Sequence, residues 1–395
     1  MIPFTRFTLL FCALLASLPG WAGEKPGVRF LLPLSALPGS AQTEFTAIIE
    51  RYNRLHPDGR VQLIRRGDQY SSLRELIAMF LAGDIPEIAL IEASEGPAIA
   101  HLDIAKPMRL ANSVRKDLSP GSSPGGLPSL PFLRTVPVLL ANAALLAPQK
   151  TPRSWPELEN LSRNFRNSRS EQSRKEAPLA LPLQGAQGLW MFEAIAGGPL
   201  WTREQGGIRS ERRLTAAIQK LRGLLDDGLI RTEETSESAM QSFIDQKSLF
   251  LATSLDSLSE ITRKVSFPVL AGTLFTIENK PALLNGGSDI LVTRDTPDIR
   301  NFLTHLFSDE VGPKWAAAGN WLPLIKSWKT QAQPVNSTRT LLRTASPNQF
   351  RTTDKDVVRA RSAWIQSLPL LFGPKAKRLA PEDVFIELDR HLGVR

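Results

Sequence analysis

Side chains that could perform catalysis or hold a metal are few and widely spaced in this chain. Neither H-E-x-x-H, nor a Walker loop, nor G-x-G-x-x-G occurs in it. The carboxylate pairs Asp226-Asp227 and Glu233-Glu234 are adjacent in sequence, so they do not face each other as an acid and its base must. Histidines without the spacing of metal ligands stand at His56, His101, His305 and His391. We therefore expect no catalytic residue, no metal and no cofactor, which favours binding over catalysis.

Basic residues outnumber acidic residues by 48 to 39, which gives a net charge of +9 at pH 7. They are scattered, and aromatic residues do not alternate with them as binding of single-stranded nucleic acid requires. We therefore expect no nucleic-acid partner. Most of this charge is expected on a solvated surface. The alternative is that Arg65-Arg66 or the Lys375–Arg378 group lies near an anionic ligand.

Residues 1–22 have the three-part pattern of a cleavable signal peptide. Arg6 is the only charge, Phe7–Leu18 is apolar, and small residues precede a cleavage site before Gly23. The alternative is a buried or membrane-spanning helix, but this run is shorter than the ~20 residues that a span needs. Cys12, the only cysteine, would leave with the segment. We expect a periplasmic mature protein without disulfides.

The elements after this segment alternate between strands and helices. Short apolar runs at Val28–Leu34, Val61–Ile64 and Ile88–Ile91 are typical of buried strands. Amphipathic patterns at Gln42–His56 and Leu73–Phe80 predict helices between them. This order indicates a parallel sheet covered by helices, and 395 residues exceed what one core usually organises.

The rest of the chain continues the α/β pattern. Ser119–Pro131 is rich in Pro, Gly and Ser and predicts a loop. The Thr151–Glu157 stretch predicts a helix start, with Ser154 as the cap. Further strands are predicted at Val136–Leu140, Phe250–Thr253 and Asp289–Val292, and further helices at Leu214–Leu229, Ala239–Ile244, Asp298–Phe307, Val311–Ala318, Asp354–Ser367 and Pro381–Leu392.

Several segments match motifs of one protein family in order and spacing. Phe80–Glu92 is similar to F-x-x-G-x-x-P-D-V, and Pro131–Asn142 to P-F-x-x-x-x-P-V-L-Y-Y-N. Thr151–Leu158 is similar to P-x-T-W-x-E-L, Met240–Ser254 to F-x-x-G-x-x-A-M-x-x-x-S, and Trp315–Pro323 to W-x-x-x-T-G-Y-L-P. Together they resemble the extracellular solute-binding proteins of family 1, the receptors of ABC importers, and among these the periplasmic glycerol-3-phosphate binders.

The resemblance implies an α/β, two-lobed periplasmic-binding-protein fold, type II-like, with the ligand cleft between the lobes. Crossings between lobes would fall near Val136–Leu139, Leu284–Gly287 and Leu322–Ile325. The implied division is a signal peptide at 1–22, an N-terminal lobe of 23–136 and 287–322, and a C-terminal lobe of 137–286 and 323–395.

The family's motifs also imply which residues bind the ligand. The candidates are Tyr70, Glu92, Arg134, Thr135, Trp190, Ser254, Gly286, Gly287 and Trp321. Each has a plain structural alternative: a helix-start tyrosine, solvated strand ends, a tight turn, a helix core tryptophan, or packing between the lobes. Carboxylates and hydroxyls would bond ligand hydroxyls, glycines would let backbone N–H groups approach an anion, and an indole would stack or donate.

This sequence departs from the glycerol-phosphate binders at a phosphate-binding arginine. The matching position is Leu371 or Phe372. Lys375, Arg378 or Arg134 would have to supply the missing charge, although a lysine lacks the guanidinium fork.

We expect a monomeric, non-enzymatic receptor. It would capture glycerol-3-phosphate or a glycerophosphodiester-like solute by lobe closure and deliver it to membrane permease subunits with a cytoplasmic ATPase. A sugar or oligosaccharide receptor of the same family is the alternative ligand class. Two further hypotheses stay open: a secreted hydrolase, and a non-transport receptor with a degenerate cleft.

Overall fold

The computed structural model describes residues 27–33, 37–67, 72–93, 95, 104–108, 129–146, 150–168, 176–198, 200–204, 207–210, 214–282, 286–325, 327–328 and 355–391. Its strands are β1 (Val28–Leu31), β2 (Val61–Ile64), β3 (Ile88–Glu92), β4 (Leu130–Thr135), β5 (Pro137–Asn142), β6 (Leu179–Pro182), β7 (Trp201–Glu204), β8 (Gly207–Ser210), β9 (Ile230–Glu233), β10 (Phe250–Ser254), β11 (Val269–Thr273) and β12 (Gly286–Val292). Its helices are α1 (Gly39–Leu55), α2 (Ser72–Leu81), α3 (Trp155–Asn167), α4 (Gly185–Ala196), α5 (Leu214–Asp226), α6 (Ser236–Ile244), α7 (Leu258–Lys264), α8 (Pro297–Leu306), α9 (Gly312–Ala318), α10 (Lys355–Phe372) and α11 (Pro381–His391).

Five strands form the first sheet, in the order β2-β1-β3-β12-β4. The pairs β1–β2 and β1–β3 are parallel, as the alternation of strands and helices predicts. β12 lies antiparallel to both β3 and β4. The sheet is therefore mixed, because a strand from much later in the chain is inserted between strands from its first third.

The second sheet has the order β11-β5-β10-β6-β9. β10 pairs in parallel with β6, and β6 with β9, whereas β5 is antiparallel to β10 and β11. Val136 alone separates β4 in the first sheet from β5 in the second. The predicted loop through Pro131 is therefore too long, because Leu130–Thr135 is a buried strand paired with β12. The residue boundaries given above for the lobes stay a prediction.

One apolar cluster is shared by the two sheets. It joins Phe30 and Phe132 of the first sheet to Leu251 of the second, and it includes Leu258 and Ile261 of α7. A separate cluster on the second sheet contains buried residues of α4, α5, α10 and α11. The chain returns to the first sheet at β12, but the last two described helices, α10 and α11, pack on the second sheet.

The helices begin and end within a few residues of their predicted limits where a cap or an amphipathic pattern marks them. The Ser154 hydroxyl accepts a hydrogen bond from the Glu157 backbone N–H, 3.4 Å away, at the start of α3. α4 is missing from the predicted elements because it is buried on most sides and has little amphipathic pattern. Within the described ranges, no helix combines the length and the apolar character that crossing a membrane requires.

Candidate functional site

A cleft lies where strand ends from both sheets meet. About 400 Å³ of space lies between its walls, including the opening to solvent. The first sheet contributes side chains and backbone from the ends of β3 and β4 and the start of β12, and the second contributes the end of β10 and the first turns of α4. The lining residues are Glu92, Thr135, Ala186, Gln187, Trp190, Ser254, Asp256, Gly286 and Gly287.

The pairing of β12 with β3 and β4 forms the wall of the cleft that belongs to the first sheet. Gly286 lies opposite Thr135 on β4, and Ser288 lies opposite Glu92 on β3. Gly287 has a φ of 110°, and a Cβ there would lie 1.7 Å from the Leu133 carbonyl oxygen. Glycine is therefore required at this position by the backbone itself, and the neighbouring strand ends stay close enough to share one cavity.

Trp190 closes the cleft from the second lobe. A Cβ added to Gly286 would lie 2.6 Å from Cε2 of this indole, so the ring rests directly on the Gly286 backbone. The indole Nε1–H has no hydrogen-bond partner among the described residues. An acceptor on a bound solute would satisfy that donor.

Hydroxyls and a carboxylate line another part of the cleft, which we call its rim. The Thr135 hydroxyl donates to Asp256 Oδ1 at 2.9 Å, and the Asp256 backbone N–H donates back to that hydroxyl at 3.4 Å. Ser254 Oγ lies 3.1 Å from Ser257 Oγ. The rim therefore offers acceptors and rotatable O–H groups of the kind that bond polyols.

Glu92 belongs to a cluster of four ionisable side chains, which we call the cleft charge cluster: Glu92, Glu95, Glu193 and Arg361. The Arg361 guanidinium donates from Nη1 to both carboxylate oxygens of Glu193, at 3.2 and 3.1 Å. Its Nη2 lies 3.6 Å from Glu92 Oε1. Glu193 is 2% exposed, and Glu92 and Arg361 are each 14% exposed, so this cluster is largely shielded from solvent.

Burial and neighbouring charges shift the pKa values of three members of the cluster, namely Glu95, Glu193 and Arg361. Burial raises the pKa of Glu95, and repulsion from Glu92 adds to it, so that the pKa is about 8. Burial also raises the pKa of Glu193, against the lowering effect of Arg361. Burial acts to lower the pKa of Arg361, but attraction to Glu193 and Glu92 outweighs it and raises that pKa. Arg361 is thus charged and Glu95 largely protonated at pH 7.

The chain is similar to curated binding proteins across most of its length. No family model matches it. It is 23% identical over 324 residues to the sn-glycerol-3-phosphate-binding periplasmic protein UgpB of Yersinia pestis, covering 73% of this chain and 72% of the relative. The UgpB of Yersinia enterocolitica is also 23% identical, over 326 residues, with the same coverage. The resemblance to family 1 extracellular solute-binding proteins is confirmed.

Solved structures agree with the predicted fold. The GacH receptor of Streptomyces glaucescens superposes with a TM-score of 0.76 at 12% identity, covering 93% of this chain and 98% of that one. UgpB from Mycobacterium tuberculosis in complex with glycerophosphocholine gives 0.70 at 16% identity with the same coverage. The chain therefore has the α/β, two-lobed fold of periplasmic binding proteins.

Six of the nine candidate ligand residues lie together at the cleft. They are Glu92, Thr135, Trp190, Ser254, Gly286 and Gly287. Tyr70 lies outside the described residues. That the six contact a ligand stays a prediction.

Arg134 does not line the cleft, which corrects the expectation that it faces an anion. Its side chain is 1% exposed and forms an ion pair with Asp289, which is fully buried. The guanidinium also donates from Nη1 to the Ser288 carbonyl oxygen at 2.9 Å, and Ser129 donates to the other Asp289 oxygen at 2.6 Å. Because successive strand residues point to opposite faces, Thr135 reaches the cleft and Arg134 reaches the interior.

Trp321 also lies in the interior, contrary to the expectation from the motif. It is buried in the apolar cluster shared by the two sheets, with its ring centroid 6.1 Å from that of Trp315. A Cβ at Gly319 would lie 2.3 Å from the Trp321 ring. This tryptophan therefore packs against the α9 turn.

The C-terminal cations suggested as replacements for the missing arginine are engaged elsewhere. Arg378 Nη1 donates to Asp226 Oδ1 at 2.8 Å, and Lys375 Nζ lies 3.5 Å from Asp226 Oδ2. Neither lines the cleft.

Sequence reasoning missed Gln187, Asp256 and Arg361. Asp256 follows Ser254 by two residues, so the strand-end argument that selected Ser254 could have reached it. Arg361 carries no local signal, because its partners Glu92 and Glu193 are distant in sequence.

Proposed function

We propose that this chain is the solute-binding component of an ABC importer. It captures a polar solute in the cleft as the lobes close and delivers it to membrane permease subunits, with no chemistry on the solute. The cleft between the sheets, with polar groups from both, carries this proposal. The names of the UgpB relatives support the periplasm as its location, reached after removal of residues 1–22, and it acts as a monomer.

The proposed ligand class is glycerol-3-phosphate or a glycerophosphodiester. Glycerol hydroxyls donate to Glu92 and Asp256, and phosphoryl oxygens accept from the Ser254 hydroxyl and from the Trp190 indole, while Thr135 holds Asp256 in place. The curated relatives named for glycerol-3-phosphate and the neighbour solved with glycerophosphocholine support this class. Two carboxylates at the rim favour a phosphodiester, with one negative charge, over a phosphomonoester, with nearly two.

A sugar or oligosaccharide is the second candidate. The Trp190 ring beside acidic acceptors would suit a hydroxylated ring, and a maltose-bound structure from T. maritima is also similar in fold, with a TM-score of 0.73. A receptor for sensing, without transport, is the remaining alternative.

Calorimetric titration and thermal unfolding of the purified protein with glycerophosphocholine, glycerol-3-phosphate and maltose distinguish these candidates. A ligand at about 100 times its Kd stabilises the folded state by about 2.7 kcal/mol, which is several degrees in Tm. Saturable binding of the phosphodiester, weaker binding of the monoester and none of maltose is the expected result. Binding of maltose alone would replace the ligand class, turnover would contradict the non-enzymatic role, and no binding would favour the degenerate receptor.

A further inference from the structure

Arg361 touches carboxylates that belong to different lobes. Glu193 lies on α4 and Arg361 on α10, and both helices pack in the apolar cluster of the second sheet. Glu92 is the last residue of β3, in the first sheet. The 3.6 Å contact between Arg361 Nη2 and Glu92 Oε1 therefore crosses from one lobe to the other.

The two ends of this arrangement differ in strength. Arg361 is fixed on its own lobe by two hydrogen bonds to the nearly fully buried Glu193. Its contact with Glu92 exceeds hydrogen-bond distance, yet it is shielded from solvent, where Coulomb attraction is stronger than in water. The anchored guanidinium thus attracts the Glu92 carboxylate, which lines the cleft, from the other lobe.

We propose that Arg361 is a positioning residue that orients Glu92 toward the bound solute and links occupation of the cleft to lobe closure. This rests on the proposed function. In the closed form Arg361 keeps the Glu92 carboxylate aimed at solute hydroxyls. In an open form Glu92 loses its partner from the other lobe, and Arg361 keeps Glu193.

Thermodynamic reciprocity makes this link testable. If the Arg361–Glu92 contact forms only on closure, it favours closure, and closure favours a solute that uses Glu92. Removing the guanidinium must then weaken binding and shift the population toward open lobes together. A merely structural role would lower the Tm and leave both unchanged.

The test uses the full protein with glycerophosphocholine and maltose as probes, titration calorimetry for affinity and small-angle X-ray scattering for closure. Arg361→Gln is expected to weaken binding about tenfold or more and to leave a larger radius of gyration at saturating probe. Arg361→Lys, which keeps the charge but loses the fork, should fall between this variant and the unchanged protein. Arg378→Gln removes an ion pair on the same lobe outside the cleft and is the matched control.

Arg361→Gln leaves the buried Glu193 carboxylate without its cation and could prevent folding. The double variant Arg361→Gln/Glu193→Gln also removes that carboxylate, so it replaces the single variant in the test if Arg361→Gln does not fold. It should also show the tenfold loss and the open scattering profile. Unchanged affinity and closure in whichever of these variants folds would overturn the role of Arg361. Failure of the unchanged protein to bind either probe would instead overturn the proposed function, so the two failures are distinguishable.

Discussion

The Thr135 hydroxyl, at the end of the first sheet, donates a 2.9 Å hydrogen bond to the Asp256 carboxylate of the second lobe. This bond joins the lobes at the cleft, as does the ion pair of Arg361 with Glu92. Each lobe therefore holds a carboxylate of the other. Thr135 of the first lobe holds Asp256 with a neutral donor, and Arg361 of the second lobe holds Glu92 with a positive charge.

Thr135→Val removes this bond and keeps the side-chain shape. A hydrogen bond to a charged group contributes about 1.5–3 kcal/mol, part of which Asp256 recovers from water at the rim. We expect ligand affinity to fall about three- to tenfold, measured by calorimetry. Thr46→Val removes a hydroxyl that accepts from Arg65 on the surface and should leave affinity unchanged. Equal affinities for the two variants would contradict the role of this rim contact.

Gly286→Ala forces a methyl group into the Trp190 ring, because that Cβ lies 2.6 Å from the indole. Overpacking costs about 1–3 kcal/mol, and the displaced ring alters the cleft. About tenfold weaker binding and a shifted tryptophan emission maximum are expected.

The matched control for that change is Gly223→Ala, in α5, where an added Cβ meets nothing within 4 Å. Alanine there should stabilise the fold by about 0.5–1 kcal/mol and leave binding unaffected. If Gly286→Ala binds ligand as tightly as Gly223→Ala, the close packing of the Trp190 indole on Gly286 is not required for binding.

Glu95 predicts a pH dependence of stability. Its pKa rises from 4.5 to about 8 on folding, through burial and then repulsion from Glu92. Between these two values the folded chain holds a proton that the unfolded chain releases. Folding takes up a proton there, so stability falls as pH rises through this window and levels off above pH 8.

Glu95→Gln removes this titration, because an amide resembles the protonated acid. Its Tm should match that of the unchanged protein near pH 5 and exceed it by a few degrees at pH 9, in thermal unfolding at both values. Glu50→Gln, on the exposed face of α1, should follow the unchanged protein at both pH values. A Glu95→Gln curve parallel to that of the unchanged protein would show that Glu95 ionises normally.

Arg134→Met removes the cation paired with the buried Asp289 carboxylate, which keeps only its hydrogen bond from Ser129 among the contacts described above. Breaking a buried pair in this way costs about 3–5 kcal/mol, which urea unfolding would measure. The double variant Arg134→Met/Asp289→Leu should regain much of that loss, and molecules that remain folded should bind ligand normally. Intact stability with weakened binding of phosphate ligands would instead make Arg134 a ligand contact.

The local sequence pattern predicts those cleft residues that lie at the ends of buried strands. Glu92 and Ser254 close buried strands, and polar residues there meet at one edge because both sheets direct those ends to the cleft. The same pattern does not show which of Arg134 and Thr135 faces the cleft. The two-residue period of a strand shows that they face opposite sides, but it does not show which side is the interior.

Contacts that depend on the path of the whole chain lie beyond such reasoning. Arg361 meets Glu193 across 168 residues, because α10 returns to pack on α4. The motif alone predicts that Trp321 lies in the cleft, yet the turn after α9 directs its ring into the core. The local pattern at Val136–Leu140 predicts a single strand and hides the change of sheet at Val136, since apolar residues continue on both sides of it. Only the family resemblance implies a crossing there.

That change of sheet has a kinetic consequence. β4 and β5 keep their hydrogen-bonded partners within their own sheets, so rotation about the backbone at Val136 disrupts no strand ladder. Domain rotations of this kind take microseconds to milliseconds. Opening is opposed by the contacts across the cleft, by the apolar cluster that the two sheets share and by the bound solute. We therefore expect substitutions in these contacts to change the residence time of the solute more than its rate of capture.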